Sequence, residues 1–351
     1  MDPVSQGSLG AAFAASAGRG HELRAGAVAG LFAGMAPDLD VLIRSSADPL
    51  LFLEYHRQFT HALAFVPIGA LLCALAAYPL ARRWIPFGRL YLFCLLGYGS
   101  HGLLDACTSY GTQLLWPLSD VRLAWNVVSV VDPLFTLPLL TLLLFGWVRQ
   151  RRTWALAGLV WVGAYLVVGQ IQHWRAQQAA LDLAAARGHV AGERLTKPAF
   201  ANLLVWKSVY RAEGWFYVDA LRLGSAATVY PGQRIRALGA DPAWRPPPPG
   251  SQLAEDVARF RAFSAGYLAR DRADDDLVID VRYSLVPNRI DALWGIALDR
   301  SQPDGHAEFV TDRATGAEER AALVEMLTQP GVPPAEVRRP GSGASAGAPA
   351  D

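Results

Sequence analysis

Apolar and polar positions divide the chain near His173. Before that point, long apolar runs follow one another at residues 4–18, 25–43, 62–81, 90–107, 127–148 and 154–171. Residues 62–81 have the length of a membrane-crossing helix, about 20 residues, and Thr60 is placed to cap it. Residues 90–107, 127–148 and 154–171 read as further spans. The run at 4–18 is short for a span and follows the acidic Asp2 rather than a basic segment. It therefore predicts a re-entrant or surface helix, or half of a helical pair with 25–43, and not a cleaved leader.

After His173 the pattern changes. Residues 175–187 read as an Ala/Gln-rich helix. Residues 203–210, 215–223 and 226–230 read as strands, with Glu213-Gly214 as a hairpin turn. Leu253, Val257, Phe260 and Phe263 give residues 252–269 a helical period. Two more strands are expected at 277–285 and 292–299, joined around Pro287-Asn288. The tail beyond Gln329 is rich in Pro, Gly, Ala and Ser, a composition expected to be disordered. The predicted organisation is an α-helical polytopic membrane domain over 1–173, a small extracytoplasmic α+β domain over 174–328 and a tail over 329–351.

Basic turns give the helical half a direction. Arg82, Arg83 and Arg89, then Arg149, Arg151 and Arg152, are expected on the cytoplasmic side of an inner membrane. The loops at 45–60 and 108–126 then fall on the other side, the second with an interfacial composition in Trp116, Pro117 and Trp125. So do Asp38, Asp40, His61, His101, Asp105 and Asp132, all at one depth. The chain should leave the last span on that outer side. His101 and Asp105 are one helical turn apart, about 40° around the axis. An Asp in mid-membrane costs about 2.5–3.5 kcal/mol, so a metal, a counter-charge or a water-filled cavity is expected beside it.

Composition changes this picture little. Hydrophobic residues make up 52% of the chain and the net charge is +1, which speaks for a membrane protein and against a nucleic-acid partner. Cys73, Cys94 and Cys107 match no zinc-ribbon or redox spacing. No Gly-x-Ser-x-Gly elbow or Walker-type phosphate loop occurs.

The chemistry then rests on imidazoles and carboxylates. Asp40, His61, His101 and Asp105 are the expected metal ligands. His56 and Asp38 are ligands of a second ion or orient the first set. Asp132, with Asp38, is the candidate for catalytic proton work. Arg57 and Arg122 stand where an anionic head group would be held. This mixed donor set suits zinc first, with manganese or iron as alternatives.

These motifs resemble the YdjM-like inner-membrane proteins, a bacterial and archaeal family described as membrane-bound metal-dependent hydrolases. The matching stretches are Met1-Asp2-Pro3, Pro37-Asp38-Leu39-Asp40, His56-Arg57-Gln58-Phe59-Thr60-His61, His101 to Gly111, Trp125-Asn126 and Val131-Asp132-Pro133. The resemblance covers residues 1 to about 150 and implies a helical membrane hydrolase. Family members often open Asp-Pro-Thr-His, whereas Gln6 stands at the His position here, which argues against a second metal. The His/Asp helical site is also loosely similar to zinc-dependent phospholipase C. The expected function is hydrolysis of a phosphoester or ester bond in a lipid or lipid-linked substrate at the outer leaflet. The alternative is a non-catalytic membrane protein whose His/Asp cluster binds an ion or a partner.

Overall fold

The computed structural model describes residues 1–312 and 316–337. Its N-terminal region is helical. Helices α1 (Pro3–Ala17) and α2 (Glu22–Met35) form an antiparallel pair, and α2 runs on into a 3-10 turn (Ala36–Leu42). Next come the short α3 (Leu51–Tyr55), then α4 (Val66–Ala81), α5 (Phe87–Ala106), α6 (Pro133–Arg149) and α7 (Arg152–Ala186). Among the described residues, three helical segments are long and apolar enough to cross a membrane: Glu22–Leu42, Leu63–Ala81 and Arg152–Ala186. Their outer faces leave Leu71, Leu72 and Leu75 on α4 and Val160, Val167 and Ile171 on α7 exposed, an apolar surface of the kind a bilayer covers.

Small residues set how closely these helices approach. A Cβ on Gly30 of α2 would lie 2.3 Å from the carbonyl oxygen of Gly10 on α1, and one on Gly97 of α5 would lie 2.5 Å from the carbonyl of Gly30. Close backbone approach of this sort is how helices pack when lipid removes the hydrophobic drive between them. It draws α1, α2 and α5 into one tight group, and the polar cluster lies at its end.

Several predicted boundaries move. Helix α6 starts at Pro133 rather than 127, because the Asp132 carboxylate caps it by accepting from the N–H groups of Leu134 and Phe135. It is 17 residues long. The predicted span at 154–171 and helix at 175–187 are one continuous α7 of 35 residues. At 1.5 Å per residue that is about 50 Å, more than a bilayer core needs, and its far part buries Ala176, Ala179, Ala180 and Leu183 against the C-terminal lobe.

The lobe contains two antiparallel four-stranded sheets, each in sequential order. The first joins β1 (Arg194–Pro198), β2 (Val205–Ala212), β3 (Trp215–Leu223) and β4 (Ala227–Arg236). The Glu213-Gly214 hairpin turn is as expected, both residues having positive φ, 51° and 77°. The second joins β5 (Leu268–Arg270), β6 (Leu277–Asp280), β7 (Trp294–Ala297) and β8 (Glu308–Thr311), with α8 (Gln252–Phe263) and α9 (Ala317–Thr328) beside the sheets. Strands β1, β5 and β8 were not anticipated. Helix α8 stops six residues short of the expected 269 because Ala265 and Gly266 take left-handed backbone, φ 51° and 82°. The predicted tail is partly ordered: Val332 pairs with Val229. Residues 338–351 lie outside the described residues.

Contacts at the bundle loops also join the two regions directly. Leu50 and Leu53, in and beside α3, are buried in the lobe's core with Leu253, Val257 and Phe260 of α8. Arg259 of α8 pairs with Asp48 (2.8 Å) and Glu54 (2.5 Å) around them. Tyr283 stacks on Tyr110 at 4.9 Å and its hydroxyl donates to the Ser109 carbonyl (2.6 Å). The lobe is therefore seated on both loops at the end of the bundle that carries the cluster.

Candidate metal centre

The cluster is assembled from three segments of the chain. The 3-10 turn after α2 supplies Asp38, a 3-10 turn at Phe59–His61 supplies His61, and the last turns of α5 supply His101 and Asp105. His61, His101 and Asp105 are fully or almost fully buried, whereas the Asp38 side chain keeps 20% of its surface exposed. One ligand atom from each of the four lies within 4.8 Å of the others.

Hydrogen bonds fix which imidazole nitrogens face inward. His101 Nδ1 donates to the Gly34 carbonyl (2.6 Å), a reach the glycine contacts between α2 and α5 make possible. His61 Nδ1 donates to the Thr60 hydroxyl (2.9 Å), which in turn donates to Asp40 Oδ2 (2.9 Å). Both Nδ1 atoms thus carry the proton, a tautomer assigned from the network. Both Nε2 lone pairs then point into the cluster, 2.9 Å apart. Asp105 Oδ2, buried and without a hydrogen bond, faces them at 3.3 and 3.8 Å. Asp38 Oδ1 faces them at 3.4 and 3.3 Å. Two imidazole lone pairs and two carboxylate oxygens thus converge in a buried space, a donor set that could hold a metal ion.

The spacing suits a metal. A tetrahedron built on bonds of ~2.0–2.1 Å has edges of roughly 3.3–3.4 Å. The five separations above, from 2.9 to 3.8 Å, scatter about that length. The opposite Asp105 oxygen accepts from Gln6 Nε2 (2.8 Å), and Arg57 Nε stands 3.1 Å from Oδ2.

The remaining expected site residues are placed as follows. From the sequence, Asp40 is expected with the first ligands and Asp38 with a second ion, an orienting role or catalysis; in the structure Asp38 groups with His61, His101 and Asp105, and Asp40 groups with Asp38 and His56. A 3-10 turn advances about 120° per residue, so two residues apart the side chains diverge, and only Asp38 points at the imidazole pair. Asp40 lies one layer out, where it accepts from His56 Nδ1 (2.8 Å), the Arg57 N–H (3.0 Å) and Thr60. Asp38, Asp40 and His56 form a second group of possible metal donors, on the solvent side of the first. Thr60, read as a helix cap, serves the cluster instead, and α4 starts later, at Val66.

Asp132 is not in the cluster. Its carboxylate is taken up by the α6 N–H groups and by the Tyr165 hydroxyl (2.8 Å). Arg57 and Arg122 are near the cluster, yet both are committed to the protein. Arg57 reaches Asp105 and the Thr108 hydroxyl (3.1 Å). Its backbone is held in the left-handed region at φ 63°, a conformation costing on the order of 1–3 kcal/mol that persists where its surroundings impose it. Arg122 donates to the carbonyls of Leu53 (2.7 Å), Glu54 and His56 (both 3.2 Å), closing the end of α3. Burial, with the charges of Arg57 and Arg282 nearby, lowers the Arg122 guanidinium to about 10. Sequence reasoning missed the Gly34 carbonyl, because a carbonyl carries no residue signature. Gln6, which the family resemblance singles out at a His position, donates to Asp105.

Residues 1–176 match the family model described as YdjM inner membrane protein. Over 108 residues the chain is 38% identical to the inner membrane protein YbcI of Escherichia coli (strain K12), covering 29% of this chain and 60% of that protein. Over 106 residues it is 28% identical to the uncharacterized protein YfhP of Bacillus subtilis (strain 168), covering 30% and 32%. The aligned part thus spans 60% of one relative and 32% of the other, under two thirds of either. No solved structure matches the chain.

Proposed function

Because the chain belongs to the YdjM inner membrane protein family, we propose that its His/Asp cluster holds one divalent metal, zinc by preference, and that the protein is a membrane-embedded hydrolase. The bond cleaved is a phosphoester or ester bond of a lipid or lipid-linked substrate. The observation that carries this reading is the inward convergence of two Nε2 lone pairs and two carboxylate oxygens at tetrahedral spacing. A bound zinc would supply Lewis acidity towards a phosphoryl or carbonyl oxygen and an acidified water.

The chain's own groups then divide the work. His61, His101, Asp105 and Asp38 would hold the metal. Asp38, alone of the four in keeping a solvent-facing edge, lies on the side from which substrate enters. Asp40 orients two imidazoles, His61 through Thr60 and His56 directly. With Nδ1 committed to Asp40, His56 keeps Nε2 free, and its side chain is 32% exposed. That is the arrangement of a general acid–base pair, so His56 rather than Asp132 is assigned the proton transfer. Gln6 holds the Asp105 carboxylate from behind through Oδ1, and Arg57 stands beside the inward Oδ2.

Location supports the substrate class. The cluster lies at the end of the bundle opposite the basic turns, at the depth of lipid head groups under the positive-inside assignment. The lobe would then be extracytoplasmic, on the same side. One observation favours the second reading, an ion site without turnover: three of the four donors are buried, as in closed structural sites.

The test measures metal content and hydrolysis separately. Purified full-length protein is expected to carry close to one metal per chain and to release head groups from lipid vesicles. His101→Ala and Asp105→Ala lose both. His56→Gln keeps the metal and loses most of the turnover, by on the order of 10²–10⁴-fold. Unchanged metal content in His101→Ala and Asp105→Ala would end the proposal. Bound metal without turnover on any lipid would leave the ion-site reading.

A further inference from the structure

At the end of the bundle away from the cluster, two recesses share a wall. One is an apolar crevice of about 260 Å³ between the α1–α2 pair and the α6–α7 pair, with Ala11, Ala15, Val28, Leu144 and Trp147 among its lining. The other is a polar recess of about 430 Å³ lined by Arg19, Arg151 and Arg152, with Gln150 and Thr153. Leu23 lines both, so the crevice leads into the polar recess.

Three features make the polar recess a seat for an anion. Its three arginines are exposed, and among the described residues none of them is in an ion pair. The nearby acid, Glu22, is already held by Arg89 through Nε (3.0 Å) and Nη2 (2.6 Å). The N-terminal ends of α2 and α7 both lie at this recess, and neither is closed by a side-chain cap. The positive ends of two helix dipoles add to the guanidinium charge.

The crevice narrows the choice of anion. Val28, Leu144 and Trp147 on its walls are exposed on faces that meet lipid. A free inorganic anion would leave the crevice unfilled, whereas a phospholipid brings a phosphate and an acyl chain together. A choline or ethanolamine cation would be repelled by three arginines. We propose that this pair of recesses binds one anionic phospholipid, its phosphate among Arg19, Arg151 and Arg152 and one acyl chain along Leu23 into the crevice. The site is separate from the metal centre and does not depend on the hydrolase reading.

Native mass spectrometry of the full-length protein in detergent, titrated with phosphatidylglycerol or phosphatidylcholine, tests it. Phosphatidylglycerol is expected to bind at least tenfold more tightly. The triple variant Arg19→Gln, Arg151→Gln, Arg152→Gln should bring it down to the phosphatidylcholine level with metal content unchanged. Val28→Trp, an exposed position on the crevice wall, should weaken phosphatidylglycerol binding while the arginines stay in place, which keeps the test decisive if the triple variant folds poorly. Equal binding of the two lipids overturns the proposal, as does full phosphatidylglycerol binding by the triple variant or by Val28→Trp. Inorganic phosphate displacing phosphatidylglycerol at equal concentration would make the recess a free-phosphate site and overturn it too.

Discussion

The bundle and the lobe both bury charged groups, but they treat them differently. In the lobe each buried charge meets its own partner. Arg187 holds Asp219 through two bonds of 2.7 Å and also reaches the Tyr210 hydroxyl (3.0 Å). Arg282 lies along Asp280, which also accepts from Trp294 Nε1 (3.3 Å). The buried Lys207 amine donates to Ser284 Oγ (2.7 Å) and the Arg289 carbonyl (2.9 Å). In the bundle two imidazole nitrogens and two carboxylate oxygens converge on one another, with the Arg57 guanidinium at the edge, 3.1 Å from Asp105 Oδ2. Buried polarity is therefore not in itself a sign of function. A closed set of donors and acceptors braces a fold, and a set of converging acceptors marks a candidate binding place.

The largest effect should come from opening a closed set. Asp219→Ala leaves the Arg187 guanidinium buried beside Tyr210 without its counter-ion. A loss of about 3–5 kcal/mol in lobe stability is expected in denaturant titrations, with metal content intact. A loss below about 1 kcal/mol would mean that this pair is not what distinguishes lobe from cluster.

A smaller effect is expected where the bundle's packing serves the cluster. In Gly30→Ala the new methyl meets the Gly10 carbonyl at 2.3 Å and the Ala14 Cβ at 2.5 Å. The α1–α2 pair must spread, at about 1–3 kcal/mol, and the Gly34 carbonyl must shift from His101. Metal affinity should fall with stability. Gly163→Ala, on α7 with open space at the same position, is the control and should change neither. Full metal affinity in Gly30→Ala would separate the glycine packing from the site.

The smallest effect is a slope. Burial, with Lys197 nearby, holds the Lys207 ammonium well below the usual lysine range, and burial with Arg282 brings Lys197 to about 8. The unfolded chain then binds more protons than the folded one between these values and about 10.4. Lobe stability should therefore rise with pH through that window, by no more than about 1.4 kcal/mol per pH unit for each lysine. Lys207→Met should flatten the rise between pH 7 and 9. An equally steep rise in that variant would show that Lys207 is charged in the fold.

How much of this was readable beforehand depended on how local each signal is. The offset of four residues between His101 and Asp105 is local, and it placed both on one face of α5. The apolar runs of α4 and α7 and the basic turns between helices are also local, and they pointed to one polar end of the bundle. Choosing between Asp38 and Asp40 was not local, because it depends on a 3-10 turn continuing from α2. The commitment of Arg122 to three carbonyls depends on α3, and α3 is held by the lobe. Strands β5 and β8, of three and four residues, are too short to show a period.

The order of residues alone determined that the first half is apolar enough for a membrane and that imidazoles and carboxylates recur at its polar ends. It determined this because hydropathy and helical phase are properties of neighbouring residues. Only the tertiary structure decided which carboxylate meets the imidazoles, which tautomers they hold and which arginines remain unpaired. Those outcomes depend on contacts between segments distant in the chain, such as the Gly34 carbonyl with His101 and the core that Leu53 shares with Phe260, and a one-dimensional pattern carries no record of them.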